Sequence, residues 1–120
     1  VLVSSRATIG RVAIARIPTA TNQGFKNIVI QDHQRVLPEF VAYMMKFLKP
    51  TLEALATGGT FKEFSKSALS GIEIPLPPIE LQRKIIINIE AQQHRIEELK
   101  NEITKREQEI KLSIDRVWAS

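Results

Sequence analysis

Five β-branched residues recur at intervals of seven in the C-terminal part of the chain, and this spacing restricts the possible folds more than any other feature. They are Ile89, Ile96, Ile103, Ile110 and Val117. A seven-residue apolar period forms one stripe along an α-helix, as in coiled coils. We therefore predict a long helix over residues 79–118, about 60 Å in length at about 1.5 Å per residue.

The companion row of the stripe is only partly apolar. It consists of Ile85, Gln92, Leu99, Arg106 and Ser113. Extra isoleucines near residue 86 widen the apolar arc there, which predicts that the base of the helix packs on the rest of the chain. Farther along, only the narrow stripe is apolar, and such a stripe requires a partner helix. We predict helix pairing through Ile89, Ile96, Leu99, Ile103, Ile110 and Val117.

Charge separates the helix from the residues that precede it. Residues 79–120 hold eight basic and eight acidic side chains, so residues 1–78 carry the whole formal net charge of +4. Residues 1–31 contain four basic side chains and no acidic one. A basic segment of this kind is compatible with a polyanionic partner such as nucleic acid.

Residues 1–78 are predicted to form a small mixed α/β (α+β) head. Short runs rich in valine and isoleucine predict strands, at residues 1–3, 12–15, 27–30 and 72–74. Pro38 and the apolar spacing after it predict a helix that Pro50 interrupts and that then continues. Ser65 or Ser67 is expected to cap one further helical turn before Gly71.

Three polar loops of the head combine hydroxyl or amide side chains with a cation. Lysine and arginine neutralise phosphates, whereas Asn, Gln, Arg, Ser and Thr bind base edges. The candidate residues are Ser5, Arg6, Thr8, Thr21, Asn22, Gln23, Lys26, Thr60, Lys62 and Lys66. The same residue types also occur in ordinary polar turns, where they satisfy backbone groups. The residues alone leave both interpretations open.

The sequence contains none of the common catalytic or metal-binding motifs. It lacks the phosphate-binding GxxxxGK[ST] loop, GxGxxG and HExxH, and it has no cysteine. His33 and His94 are isolated, which favours surface positions over metal ligation. No catalytic residue and no metal site are therefore predicted, and binding is the expected kind of function. No apolar run reaches the roughly 18 residues of a membrane-spanning helix, so no membrane partner is expected.

Four segments resemble the specificity subunits of type I restriction-modification enzymes. They are SSRATIG at residues 4–10, TNQGFKN at 21–27, GGTF at 58–61 with SKS at 65–67, and IEIPLPPIELQ at 72–82. The segments occur in the family's order and cover nearly the whole chain. The last segment, which leads into the long helix, is the most specific of them.

The resemblance implies a non-catalytic subunit that recognises DNA sequence in a prokaryotic cytoplasm. In this family a target recognition domain, here residues 1–78, reads one half of a bipartite DNA target. The helix that follows, here residues 79–118, spaces that domain from a second one. The complete subunit docks methyltransferase subunits, which carry S-adenosylmethionine, and restriction (translocase) subunits, which carry ATP and magnesium. No cofactor is expected on this chain itself.

The chain departs from the family pattern in two ways. Complete recognition domains are longer, and the chain starts at Val1 rather than at methionine, so we expect the N-terminal part of the domain to be absent. The usual subunit has two domains and two helices, whereas this chain has one of each. The helix is then expected to pair with the helix of a second recognition domain, or with a second copy of the chain. A two-fold dimer of that kind would read an interrupted palindrome.

Given the resemblance, we predict that the three polar loops face duplex DNA. Arg6 and Lys26 are the leading candidates for phosphate or guanine contacts. Asn22 and Gln23 are the candidate base readers. The alternative is a non-catalytic protein-interaction module that dimerises through its helix and has lost DNA binding by truncation. RNA binding is a weaker alternative, because sequence-specific RNA readers usually offer stacking aromatic side chains on a sheet.

Overall fold

The computed structural model describes residues 1–58 and 62–119. The chain divides into two compact units, Val1–Ile86 and Ile87–Ser120. The described elements are β1 (Leu2–Ser4), β2 (Val12–Ala13), β3 (Phe25–Asn27), α1 (Pro38–Phe47), α2 (Lys49–Leu55), α3 (Lys66–Ser70) and α4 (Ile79–Ala119). The predicted mixed α/β class is confirmed.

The three strands form one antiparallel sheet in the order β2-β1-β3. In the central strand, Val3 lies opposite Val12 on one side and Lys26 on the other. The sequence placed the third strand at residues 27–30, and this was wrong by about two residues. Ser4 of the central strand lies opposite Phe25, so the pairing register of β1 places β3 earlier than the apolar run indicates.

The core of the first unit lies where the sheet meets α1 and α2. Its buried cluster consists of Val3, Val41, Met45, Leu52 and Phe64. Around this cluster, partly buried apolar side chains extend the core. Val3, Leu52 and Phe64 have no exposed surface at all. Burial of these side chains supplies most of the stabilisation that such a small unit has.

Local signals place the short helices correctly. Pro38 occupies the first turn of α1, and Pro50 occupies the first turn of α2, where a missing backbone N–H costs nothing. Ser65 caps α3, because its Oγ accepts a hydrogen bond from the Ala68 N–H at 3.0 Å. The helical interruption and the serine cap predicted from the sequence are thus both confirmed.

The predicted strand at residues 72–74 is wrong. In the described part of the chain, these residues belong to no strand. Ile72 and Ile74 instead pack against the buried cluster, while Glu73 between them is exposed. The alternation that indicated a strand therefore reflects one-sided burial of an extended segment that adds no backbone pairing to the sheet.

The helix α4 begins at Ile79, where the sequence predicted its start, and its first two turns belong to the first unit. The Pro78 carbonyl accepts hydrogen bonds from the N–H groups of Leu81 and Gln82, at 2.9 and 3.1 Å. Gln82 is fully buried and Ile86 is nearly so. The expected packing of the helix base on the head is confirmed.

Gln82 ties the helix base to two other segments through its side-chain amide. Its Oε1 accepts a hydrogen bond from the Leu37 N–H at 3.0 Å. Its Nε2 donates to the carbonyls of Arg35 and Pro77, each at 2.8 Å. Both polar atoms of the side chain are therefore hydrogen-bonded, which makes burial of this amide tolerable.

In the second unit, the apolar stripe of α4 is exposed to solvent. The exposed members are Ile96, Leu99, Ile103, Ile110 and Val117, with Ile103 at 57% and Ile110 at 60% of full exposure. Ile89, at the start of the unit, is half-buried. We call these six residues the seam. Ion pairs between side chains three or four residues apart, such as Arg106 with Glu109 at 3.4 Å, lie on the helix surface beside it.

None of the helices in the described part of the chain combines the length and the apolar character needed to cross a bilayer.

Candidate nucleic-acid interface

The first polar loop, residues 4–10, is held by Ser4 at its base. The Ser4 Oγ accepts a hydrogen bond from the Arg11 N–H at 2.9 Å and donates one to the Thr8 carbonyl. The Gly10 N–H donates to the Ser4 carbonyl at 3.0 Å. Gly10 has a φ of +85°, and a Cβ there would lie 2.8 Å from the Lys49 side chain, so only glycine fits. The loop is therefore closed by its own backbone.

The second polar loop, residues 21–26, is closed by an Asx turn. The Asn22 Oδ1 accepts a hydrogen bond from the Gly24 N–H at 2.8 Å, and the Asn22 carbonyl accepts one from the Phe25 N–H at 3.3 Å. The Thr21 Oγ1 accepts a hydrogen bond from Asn27 Nδ2 at 2.9 Å. The predicted site residues Asn22 and Thr21 therefore both form hydrogen bonds within this segment of the chain.

Backbone contacts attach the three polar loops to one another. The Ser5 N–H donates to the Gly24 carbonyl at 2.8 Å, which joins the first loop to the second. The third polar loop comprises residues 57–66, and its Phe64 N–H donates to the Ser5 carbonyl at 3.2 Å, which joins it to the first loop. The side chain of Arg6 lies across Gly24, where an added Cβ would meet it at 3.4 Å. These contacts hold the described parts of the three loops next to one another.

One carboxylate, that of Glu63, lies beside side chains from the first and second loops. Its Oε1 is 3.2 Å from Lys26 Nζ, 3.4 Å from Ser5 Oγ and 3.7 Å from Arg6 Nε. The hydrogen bond from Lys26 is the main reason that the pKa of Glu63 lies below its usual range, and the positive charge of Arg6 adds to the effect against partial desolvation. Glu63 is therefore ionised at neutral pH.

A cleft of about 570 Å³ lies between the first and second loops. Its lining includes Ser4 and five further side chains with charge or hydrogen-bonding capacity: Arg6, Thr8, Arg11, Asn22 and Gln23. Two guanidinium groups supply positive charge, and the amide and hydroxyl groups supply both donors and acceptors. Such a set can bind phosphate oxygens and base edges alike.

The structure places the predicted site residues at different positions in the head. Arg6, Thr8, Asn22 and Gln23 come together around the cleft, and Thr21 is half-buried beside them. Lys26 and Lys66 line a neighbouring, largely apolar cavity of about 730 Å³ instead, and Lys62 is exposed. Thr60 lies outside the described residues.

Ser5 does not belong to the surface. It has no exposed area, and its Oγ donates a hydrogen bond to Glu63. A side chain in this position cannot contact DNA without local rearrangement. Ser5 is therefore removed from the predicted DNA-contact residues. The alternative interpretation of the loop residues, as groups that fix turns, applies to Ser5.

Two residues of this surface were not selected from the sequence. Arg11 lines the cleft, and the signal for it was its place in the acid-free segment, directly after Gly10. Glu63 contacts the first and second loops, and the available signal was its position as the single acid between Lys62 and Lys66. Its pairing with Arg6, which is distant in sequence, is a tertiary contact that local pattern does not reveal.

The described residues contain no group of three His, Asp or Glu side chains arranged to hold a metal ion. His94 instead lies on the exposed surface of α4, with its Nε2 2.9 Å from Glu98 Oε1.

A sequence profile of the type I restriction modification DNA specificity domain matches residues 1–111. This covers most of the chain, including the loops, the cleft and most of α4. The chain belongs to this family.

Two curated relatives carry specificity-subunit names. The chain is 44% identical over 87 residues to the type I restriction enzyme MjaIX specificity subunit of Methanocaldococcus jannaschii, an alignment of 71% of this chain and 20% of the relative. It is 36% identical over 91 residues to the MjaX specificity subunit of the same organism, over 76% of this chain and 21% of the relative. The chain thus spans about a fifth of the length of the curated relatives it matches.

Proposed function

We propose that this chain is part of a type I specificity subunit and that its head recognises one half of a bipartite sequence in duplex DNA. The observation that carries the proposal is the convergence of the first and second polar loops on one cleft with two arginines, an asparagine and a glutamine. A cleft of this composition suits a ligand that offers both phosphates and base edges. Family membership supports the same function.

Within the cleft we assign two kinds of contact. Arg6 and Arg11 bind phosphate oxygens or guanine, because a guanidinium donates paired hydrogen bonds to such acceptors. Gln23 and Asn22 read base edges. The Asn22 Oδ1 already accepts a hydrogen bond from Gly24, so its amide nitrogen is the group that remains for DNA.

The chain performs no chemistry itself under this proposal. The family description names a DNA specificity domain rather than a catalytic domain. Methylation and restriction are assigned to separate methyltransferase and restriction subunits, which carry S-adenosylmethionine, ATP and magnesium. The head would direct those subunits to their DNA target.

The proposed role of α4 is to space this recognition domain from a second one. Its seam packs on the equivalent helix of that domain, either in a longer chain or in a second copy. Because a helix is stiff, its length would fix the separation of the two half-sites.

The test is binding of a fluorescently labelled duplex by the 120-residue chain over a range of salt concentrations. We expect the affinity to fall steeply between about 50 and 200 mM salt, because cations that neutralise phosphates release counterions. On a mapped target, Gln23→Ala should weaken binding by about 1–3 kcal/mol and relax discrimination at one base. Arg6→Ala should weaken binding to all sequences alike if Arg6 contacts phosphate, and should relax discrimination at one base if it contacts guanine.

Salt-independent binding, or none, would contradict the proposal and favour the protein-interaction alternative. If Arg6→Ala and Gln23→Ala both bind the target as tightly as the unaltered chain, the assignment of the loops is wrong even though the chain binds DNA. Tight binding of single-stranded RNA in preference to the duplex would favour the RNA-binding alternative.

A further inference from the structure

We propose that the Glu63 carboxylate restrains Arg6 and Lys26 and so limits the affinity of the head for DNA of any sequence. The inference rests on the proposed function, because it concerns how that surface treats DNA. It assigns a role to an acidic side chain on a surface that otherwise presents cations.

Glu63 is held in place by the backbone on both sides of it. Its N–H donates to the Thr57 carbonyl at 3.0 Å, and its carbonyl accepts from the Thr57 N–H at 2.9 Å. The next residue, Phe64, has no exposed surface and is part of the buried cluster. The position of the carboxylate is therefore set by the fold, in contrast to that of an acidic side chain on a mobile loop.

A single carboxylate oxygen faces both cations. The Glu63 Oε1 lies 3.2 Å from Lys26 Nζ and 3.7 Å from Arg6 Nε, while the Ser5 Oγ donates to it from the buried side. Lys26 donates a second hydrogen bond, to the Gln23 carbonyl at 3.3 Å. Its ammonium group is thus already engaged by acceptors within the protein.

The Glu63 carboxylate also remains accessible to an approaching ligand, since 37% of its side chain is exposed. A phosphate that approaches Arg6 or Lys26 must compete with this carboxylate and meets its negative charge. Sequence-independent binding to DNA depends almost entirely on neutralised phosphates. A carboxylate among the cations therefore lowers the affinity for all sequences.

The arrangement separates the cations of the surface into two kinds. Lys26 and Arg6 share the Glu63 carboxylate, whereas Arg11, which lines the same cleft as Arg6, has no ion pair among the described residues. Loss of a cation that is already paired should affect DNA binding less than loss of a cation that is available to phosphate. This difference gives the proposal a measurable consequence.

The first experiment compares Glu63→Gln with Glu73→Gln in the 120-residue chain. Both variants remove one negative charge from the head, but Glu73 is exposed in the segment after α3, and the ion pairs described for Arg6 and Lys26 are with Glu63. The probe is a labelled duplex of mixed sequence, titrated at several salt concentrations. We expect Glu63→Gln to raise the affinity about three- to tenfold and to steepen the salt slope by about 0.9, the value for one additional phosphate contact. Glu73→Gln should change neither by as much.

Circular dichroism checks that Glu63→Gln folds, and a second comparison, of Lys26→Gln with Arg11→Gln, does not need that variant. Lys26→Gln should weaken binding to the mixed duplex less than Arg11→Gln does, although each removes one positive charge. In the Glu63→Gln background, Lys26→Gln should cost more than it does in the unaltered chain, as expected for coupled residues. A role of Glu63 in folding alone would not produce this coupling.

The outcomes separate failure of the inference from failure of the proposed function. If the unaltered chain binds duplex DNA and Glu63→Gln behaves like Glu73→Gln, the inference is wrong and the proposed function stands. Equal losses for Lys26→Gln and Arg11→Gln would also overturn it. If neither the unaltered chain nor Glu63→Gln binds duplex DNA at about 50 mM salt, both fail.

Discussion

The head and the seam-bearing part of α4 contain the same apolar residue types but use them in opposite ways. In the head, Val3 and Leu52 have no exposed surface and pack within one cluster. In the second unit, Ile103 and Ile110 leave more than half of their surface in solvent. Burial stabilises a fold in proportion to the apolar area removed from water. The head is therefore stabilised within the chain, whereas the seam contributes only when another helix covers it.

Glutamine gives the same contrast for polar groups. Gln82 is fully buried and makes three hydrogen bonds that connect α4 to residues 35, 37 and 77. Gln92, ten residues farther along the same helix, is exposed. A buried amide that satisfies backbone groups fixes where a helix sits, while an exposed amide is interchangeable with other polar residues. Fold stability and helix association should therefore respond to different substitutions.

The largest expected effect is that of a truncation in the core of the head. Leu52→Ala removes a fully buried side chain and leaves a cavity beside Phe64, so it should lower the free energy of unfolding by about 3–5 kcal/mol. The matched control is Leu112→Ala on α4, where the side chain is 56% exposed, and it should change stability by less than about 0.5 kcal/mol. Chemical denaturation followed by circular dichroism measures both. Similar losses for the two variants would refute the contrast between the units.

A smaller loss is expected at the base of α4. Gln82→Ala leaves the Leu37 N–H and the carbonyls of Arg35 and Pro77 without their partner, and it should cost about 2–3 kcal/mol. Gln92→Ala, the same substitution on the exposed part of the helix, should cost less than about 0.5 kcal/mol. Denaturation curves of the two variants provide the measurement. A Gln82 variant as stable as the Gln92 variant would show that the buried amide does not anchor the helix.

What the sequence predicts well in this chain is local in origin. The start of α4 follows from consecutive prolines before an apolar period, and the cap of α3 follows from one serine. The errors are tertiary in origin. The register of β3 depends on its partner β1, and residues 72–74 alternate because one side packs on the core. Neither fact is visible within a window of a few residues.

The candidate site shows the same limit. The sequence identified Arg6 and Gln23 by residue type, and both line the cleft. It did not distinguish the buried Ser5 from its exposed neighbours, because both are polar residues in a turn. It also did not bring Glu63 to Lys26, which is 37 residues away along the chain. Residue type indicates which chemistry is available, and only the fold decides which groups share a surface.

The smallest expected effect on fold stability is that of a charge in the seam. Ile103→Lys should leave the unfolding free energy of the dilute chain unchanged within about 0.5 kcal/mol, because the side chain is already exposed. If the seam pairs with a second copy, the unaltered chain should be dimeric at tens of micromolar, and Ile103→Lys should be monomeric, because pairing would bury the added ammonium. Leu112→Lys, which adds the same charge outside the seam, should still dimerise. Light scattering coupled to size-exclusion chromatography measures the mass of all three chains. If the unaltered chain is monomeric, the seam does not pair two copies, and its proposed partner is the helix of a second recognition domain.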